Sequence, residues 1–100
     1  MDFINQSNLN KIEELMLKSD RTIETASLKT VEELGEFISA NFGLNSYKKE
    51  SSEHLQEELT DILQCVISLY VLVNKKYPFD INKLLEKKNI KWESKYINNK

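Results

Sequence analysis

Two pairs of carboxylates stand three residues apart: Glu33 with Glu36 in "TVEELGEFISA", and Glu58 with Asp61 in "EELTDILQC". In a helix, residues at that spacing lie about one turn apart and face the same way, so each pair can reach a single ion from one helix. The apolar stripe of the first stretch centres near Ser27, Leu34 and Ile38, and Glu33 and Glu36 lie roughly 100 to 160° round from it. Lys29, Ala26 and Ala40 share that flank, and Glu32 lies on the other. On the second stretch the stripe centres near Leu59 and Val66, with Glu58 and Asp61 roughly 80 to 140° round in the same sense. Antiparallel neighbours with equal offsets bring the two pairs together or turn both away. Converging carboxylates repel one another and stay ionised only around a cation. An all-oxygen donor set favours a hard ion, Mg²⁺ or Mn²⁺, over zinc. Either pair alone is an ordinary solvated helix face.

Helices must hold these groups, and the composition favours them. Gly35, Gly43 and Pro78 are the only glycines and proline in 100 residues, too little punctuation for a sheet with tight turns. Apolar periodicity predicts four helices. The first runs from about Asn8 to Lys18 with a narrow stripe of Ile12, Leu15 and Met16. The second runs from about Thr22 to Asn41, with Ile23, Val31, Leu34 and Ile38 facing the core and Gly43 closing it. A polar loop covers 45–50, and Ser51 or Ser52 caps a third helix that reaches about Asn74. That helix carries Leu55, Leu59, Ile62, Leu63, Val66 and Leu69 on one side, and Ile67, Val71 and Leu72 make its second half apolar almost all round. Tyr77 and Pro78 end the segment, and Asp80 caps a basic fourth helix containing Ile81, Leu84, Leu85 and Ile90. The fold class is all-α, one four-helix domain over residues 1–100, with its core at about 8–96 and a frayed C-terminal end.

A net charge of -2 and a lone arginine, Arg21, give no electrostatic footprint for a nucleic acid polymer. Cys65 is the only cysteine, so neither an internal disulfide nor a thiolate metal site is available. "MDFINQSNLN" lacks the regions of a signal peptide, and the most apolar run, Ile62 to Val73, is too short to span a bilayer. These features read as a soluble cytoplasmic protein without a membrane partner. A third helix apolar round much of its circumference needs more cover than one small chain supplies. The expectation is a bundle that completes its core by oligomerisation, as a homodimer or homotetramer.

"EELGE", Glu32 to Glu36, followed by "ELTD", Glu58 to Asp61, resembles the two-part acidic signature of the all-alpha nucleoside triphosphate pyrophosphohydrolases, the MazG-like group. The resemblance extends through "LKTVEELGEFISA", "LQEELTDILQCVISLY" and "KKNIKWESKY", covering most of the chain from Leu28 to Tyr96. It implies that Glu33, Glu36, Glu58 and Asp61 ligate Mg²⁺, for which Mn²⁺ can substitute. The ion would bind the phosphates of a nucleoside triphosphate substrate, which water cleaves to a monophosphate and pyrophosphate. Glu32 and Glu33 are the candidate catalytic carboxylates. Lys29 and, from the last helix, Lys88, Lys91 and Lys95 are candidate phosphate-binding groups, and Trp92 could stack on the base.

Within that fold a dUTP or phosphoribosyl-ATP pyrophosphohydrolase is an alternative. A reading of another class is a non-catalytic helical oligomer whose acidic patch binds a cation or a partner. The expectations for other polar residues are plain ones. His54 is a surface residue, Cys65 a buried structural thiol, and Lys48 and Lys49 belong to a solvated loop.

Overall fold

The computed structural model describes residues 3–42 and 52–97. The expectations for Gly43, the loop at 45–50 with Lys48 and Lys49, Ser51 and the frayed last residues lie outside them. Four helices follow in order: α1 (Gln6–Lys18), α2 (Ile23–Phe42), α3 (Ser52–Lys76) and α4 (Ile81–Ile97). The described residues include no strand, and no helix among them is long and apolar enough to cross a membrane.

Side chains next to each helix start and stop it. Asn5 caps α1, its Oδ1 accepting from the Asn8 amide at 3.0 Å, so the helix begins two residues before the apolar pattern indicates. Ser19 ends it in extended backbone, its amide and hydroxyl both donating to the Met16 carbonyl. Thr22 and Thr25 cap α2 reciprocally: the Thr25 amide donates to Thr22 Oγ1 at 3.1 Å and the Thr22 amide to Thr25 Oγ1 at 3.0 Å. Past α3 the Phe79 amide donates to Asn74 Oδ1, and the Phe79 ring packs edge-on against Tyr70. Asp80 caps α4 as its sequence position predicts, Oδ1 accepting from the Asn82 amide at 3.0 Å and the Lys83 amide at 3.3 Å.

The long helix α3 is the spine. Both α1 and α2 pack on it, and they do not pack on each other. Its buried residues are Ser68, Val71 and Leu72, while α2 contributes Ala26, Glu33 and Ala40. These α2 residues recur every seven positions, as do Glu58, Cys65 and Leu72 on α3, the repeat of a seam between two helices. Alanine at two of the three α2 positions allows the backbones to approach closely.

That seam corrects the face assigned from the apolar pattern. Val31, Leu34 and Ile38 are not in the core of the chain but 68%, 46% and 42% exposed, and Leu59 and Val66 on α3 are likewise exposed. Apolar periodicity identifies the side chains that leave water on assembly, and it does not say which surface covers them. The flank carrying the acids is the flank that packs.

Helix α4 stands apart, with no Cα within 8 Å of a Cα in α1, α2 or α3. Its Leu84, Leu85, Ile90 and Trp92 are exposed. The radius of gyration is accordingly 16.4 Å, against about 13 Å for a compact chain of this length.

Because Leu72 is among the few well-buried aliphatic side chains, Leu72→Ala is expected to cost about 2–5 kcal/mol of folding stability. Urea denaturation checks this, and a cost near zero would contradict the placement of the α2–α3 seam.

Candidate metal centre

The centre grows from the middle of the seam. Glu33 leaves α2 between the close-packed Ala26 and Ala40, so its carboxylate is carried between the helices and is only 8% exposed. Glu58 arrives from α3 with its side chain largely covered, and Asp61 follows one turn later at the solvent edge. One oxygen from each of Glu33, Glu58 and Asp61 can be chosen so that all three lie within 4.8 Å of one another. Oxygens of Glu32, Glu33 and Glu36 form a second group within the same limit, so Glu33 belongs to both. Glu33 therefore meets the acidic pair of α3, and Glu36 is joined to that pair through Glu33. Glu32 joins them despite leaving α2 on the other flank, since a glutamate's flexible stem can curl along the helix surface.

Partners offset part of this charge. Lys29 Nζ lies 3.1 Å from Glu33 Oε1 and 3.3 Å from Glu32 Oε1, an ammonium one helical turn before the acids. These contacts raise the pKa of the lysine above its ordinary value, the hydrogen bond to Glu33 being the largest cause and that to Glu32 the next. His54, half-buried and not on the open surface, places Nε2 3.8 Å from Glu58 Oε1. The second oxygens of Glu33 and Glu58 are buried without a hydrogen-bond partner. A buried carboxylate oxygen left so costs free energy that a divalent cation would recover. The donor set, oxygen throughout and drawn from two helices, fits a hard ion.

Like charge also acts on Glu36. The neighbouring Glu33 charge pushes its pKa up most, followed by desolvation, the Glu58 charge, a hydrogen bond with Glu33 and the Glu32 charge. Burial raises the pKa of the half-buried Cys65 thiol, and the Glu33 charge adds to it.

Of the predicted site residues, the structure brings together Glu32, Glu33, Glu36, Glu58, Asp61 and Lys29. It leaves Lys88, Lys91, Trp92 and Lys95 exposed on α4, away from the acids of the same chain. There Trp92 packs edge-on against Tyr96, and Lys95 Nζ lies 5.5 Å from the centre of the Tyr96 ring. Two groups at the site are not among the site residues expected from the sequence. Arg21 and Gln64 line a cavity of about 200 Å³ that opens beside Glu33 and Asp61. The spacing of Gln64, one turn after Asp61, is the clue to it.

Among protein families, residues 21–97 match the MazG nucleotide pyrophosphohydrolase domain. No curated protein and no solved structure matches the chain.

The raised pKa of Glu36 has a definite consequence for metal-free protein. The folded state holds this proton more tightly than the unfolded chain, so stability falls as pH rises from the ordinary value of 4.5 through the raised one, and stays reduced above it. With metal chelated, Glu36→Gln is expected to stabilise the fold at neutral pH and to confer little at about pH 3, well below the ordinary value of 4.5, where the carboxyl is almost wholly protonated in both states. Denaturation curves at the two pH values check the sign. Equal stabilisation at both would rule out charge crowding as its source.

Proposed function

The chain belongs to the MazG nucleotide pyrophosphohydrolase family, and from that premise we propose a Mg²⁺-dependent enzyme that cleaves a nucleoside triphosphate to the monophosphate and pyrophosphate. The observation that carries the proposal is the convergence of Glu33, Glu58 and Asp61 between α2 and α3, with two buried carboxylate oxygens lacking a partner. A merely solvated acidic face does not bury its oxygens in a helix seam.

In this reading Glu33, Glu36, Glu58 and Asp61 hold Mg²⁺, or Mn²⁺ in its place. Bound there, the ion would neutralise the triphosphate, fix its orientation and acidify the attacking water. Glu32 and Glu33 are the proposed proton acceptors. Glu32 is exposed and Glu33 buried, so Glu32 is the one that can pass the proton on to solvent. Lys29 stays protonated against Glu33 and Glu32 and offers its remaining donors to phosphate oxygens.

The proposal extends to a homo-oligomer in the cytoplasm. The outward Val31, Leu34, Ile38, Leu59 and Val66 and the unpacked α4 are surfaces that a second copy would cover. Lys88, Lys91, Lys95 and Trp92 do not meet the carboxylates of their own chain. In an assembly, α4 would bring them to the phosphates of a neighbouring copy. The apolar face and the distant lysines thus have one explanation.

Incubation with a panel of ribo- and deoxyribonucleoside triphosphates and Mg²⁺ should release pyrophosphate, with loss of activity on chelation. Glu36→Gln and Asp61→Asn should each lower kcat/KM by about a hundredfold. No metal-dependent release from any nucleotide would sink the enzymatic reading. Sedimentation at micromolar concentration should show a dimer or tetramer, and a monomer would contradict the assembly.

A further inference from the structure

Lys29 pairs with two acids at once, and the two differ in exposure. Its Nζ lies 3.1 Å from Glu33 Oε1 and 3.3 Å from Glu32 Oε1, yet the Glu32 side chain is 59% exposed and that of Glu33 only 11%. The lysine pairs of α1 are of another kind. Lys11 and Lys18 both reach Glu14, whose side chain is 47% exposed, and exposed pairs of that sort contribute little. Among the described residues Lys29 is the lysine whose ion pair reaches a covered carboxylate, and that carboxylate belongs to both groups of acids that could hold a cation.

We infer that Lys29 is a built-in competitor for the cation site, displaced from Glu33 by a divalent ion and retained by Glu32; this rests on the metal-dependent reading above. Mg²⁺ stands about 2.1 Å from its oxygen ligands, so an ion on either oxygen of Glu33 would lie within roughly 5–7 Å of Nζ where it now stands. A double and a single positive charge repel at that separation, and the cover over Glu33 weakens the screening by water. Ion and ammonium therefore oppose each other at one carboxylate.

The consecutive acids give the lysine a second holding point. Its contact with Glu32 already exists, so displacement breaks one ion pair and keeps the other. Both contacts raise the lysine pKa, and it departs from Glu33 as an ammonium. Held by Glu32 alone, Nζ has donors to spare for the phosphates that accompany the ion. The coupling is reciprocal: an anion that draws Lys29 off Glu33 strengthens ion binding by the factor with which the ion frees Lys29.

The test is Mn²⁺ binding by calorimetry at fixed ionic strength, without nucleotide. Lys29→Met should bind about tenfold tighter than the unaltered protein, and Lys29→Arg, which keeps the charge, should bind much as the unaltered protein does. Glu32→Gln should weaken binding more in the presence of Lys29 than in the Lys29→Met background, since only the lysine needs Glu32 as its second holding point. A lysine that merely supports α2 or binds phosphate would leave these affinities unchanged. Circular dichroism checks folding, and Lys29→Gln takes the place of Lys29→Met if the latter unfolds.

Equal or weaker Mn²⁺ binding by Lys29→Met would overturn this inference and leave the pyrophosphohydrolase reading standing on the turnover of the unaltered protein. Tighter binding by the variant, with no turnover by the unaltered protein, would uphold the competition and remove the enzymatic reading. Absence of Mn²⁺ binding by the unaltered protein would remove both.

Discussion

Two carboxylates buried in a helix seam, Glu33 from α2 and Glu58 from α3, are the constraint around which the other features arrange themselves. Each keeps one oxygen covered and without a hydrogen bond. Burial of that kind weakens a fold unless the surroundings fix it in place. Here Ala26 and Ala40 on α2, with Ser68 and Leu72 on α3, draw the two helices together. The seam excludes water from the acids because its neighbours are small, not because the acids favour the contact. Stability held this way is linked to cation binding: an ion that binds the folded arrangement and not the open chain shifts the folding equilibrium by mass action.

The acidic pairs were legible in the sequence because the relevant physics is local. A spacing of three fixes which side chains share a helix face, and equal angular offsets on α2 and α3 limit the outcomes to meeting or parting. Helix ends at Thr22, Asp80 and Pro78 were legible for the same reason, since caps and breakers act on adjacent backbone. The packing face was not legible. On α2 the aliphatic residues Val31, Leu34 and Ile38 outweigh two alanines and a glutamate in any hydrophobic pattern, yet the alanines and the glutamate face α3. Nor could periodicity show that α4 leaves the other helices or that α1 and α2 stay apart. Those are properties of connections and long-range packing.

The misassigned face shows how a chain of 100 residues divides its apolar surface. Burying α3 fully within one copy would need helices on every side, and α1 and α2 cover only part of it. The remaining aliphatic side chains point outward from α2, α3 and α4. In the proposed assembly this surface is used between copies. The acids then need only the seam within one chain, and the lysines of α4 are free to serve the neighbour's site. Separating the two roles also explains why the carboxylates can converge without α4, whose distance from them would otherwise be a puzzle.

Helix α3 finally sets the spacing of the donors it contributes. Glu58 and Asp61 are separated by three residues, about 4.5 Å along a rigid helix, and an oxygen of Glu33 lies within 4.8 Å of an oxygen of each across the seam. In the proposed reading an ion held there is fixed to two elements at once, so a shift of α2 along α3 would move one donor relative to the other two. A misplacement of about 1 Å is already costly in catalysis. The burial of Ala26 and Ala40 in the seam is therefore a condition of the site as well as of the fold.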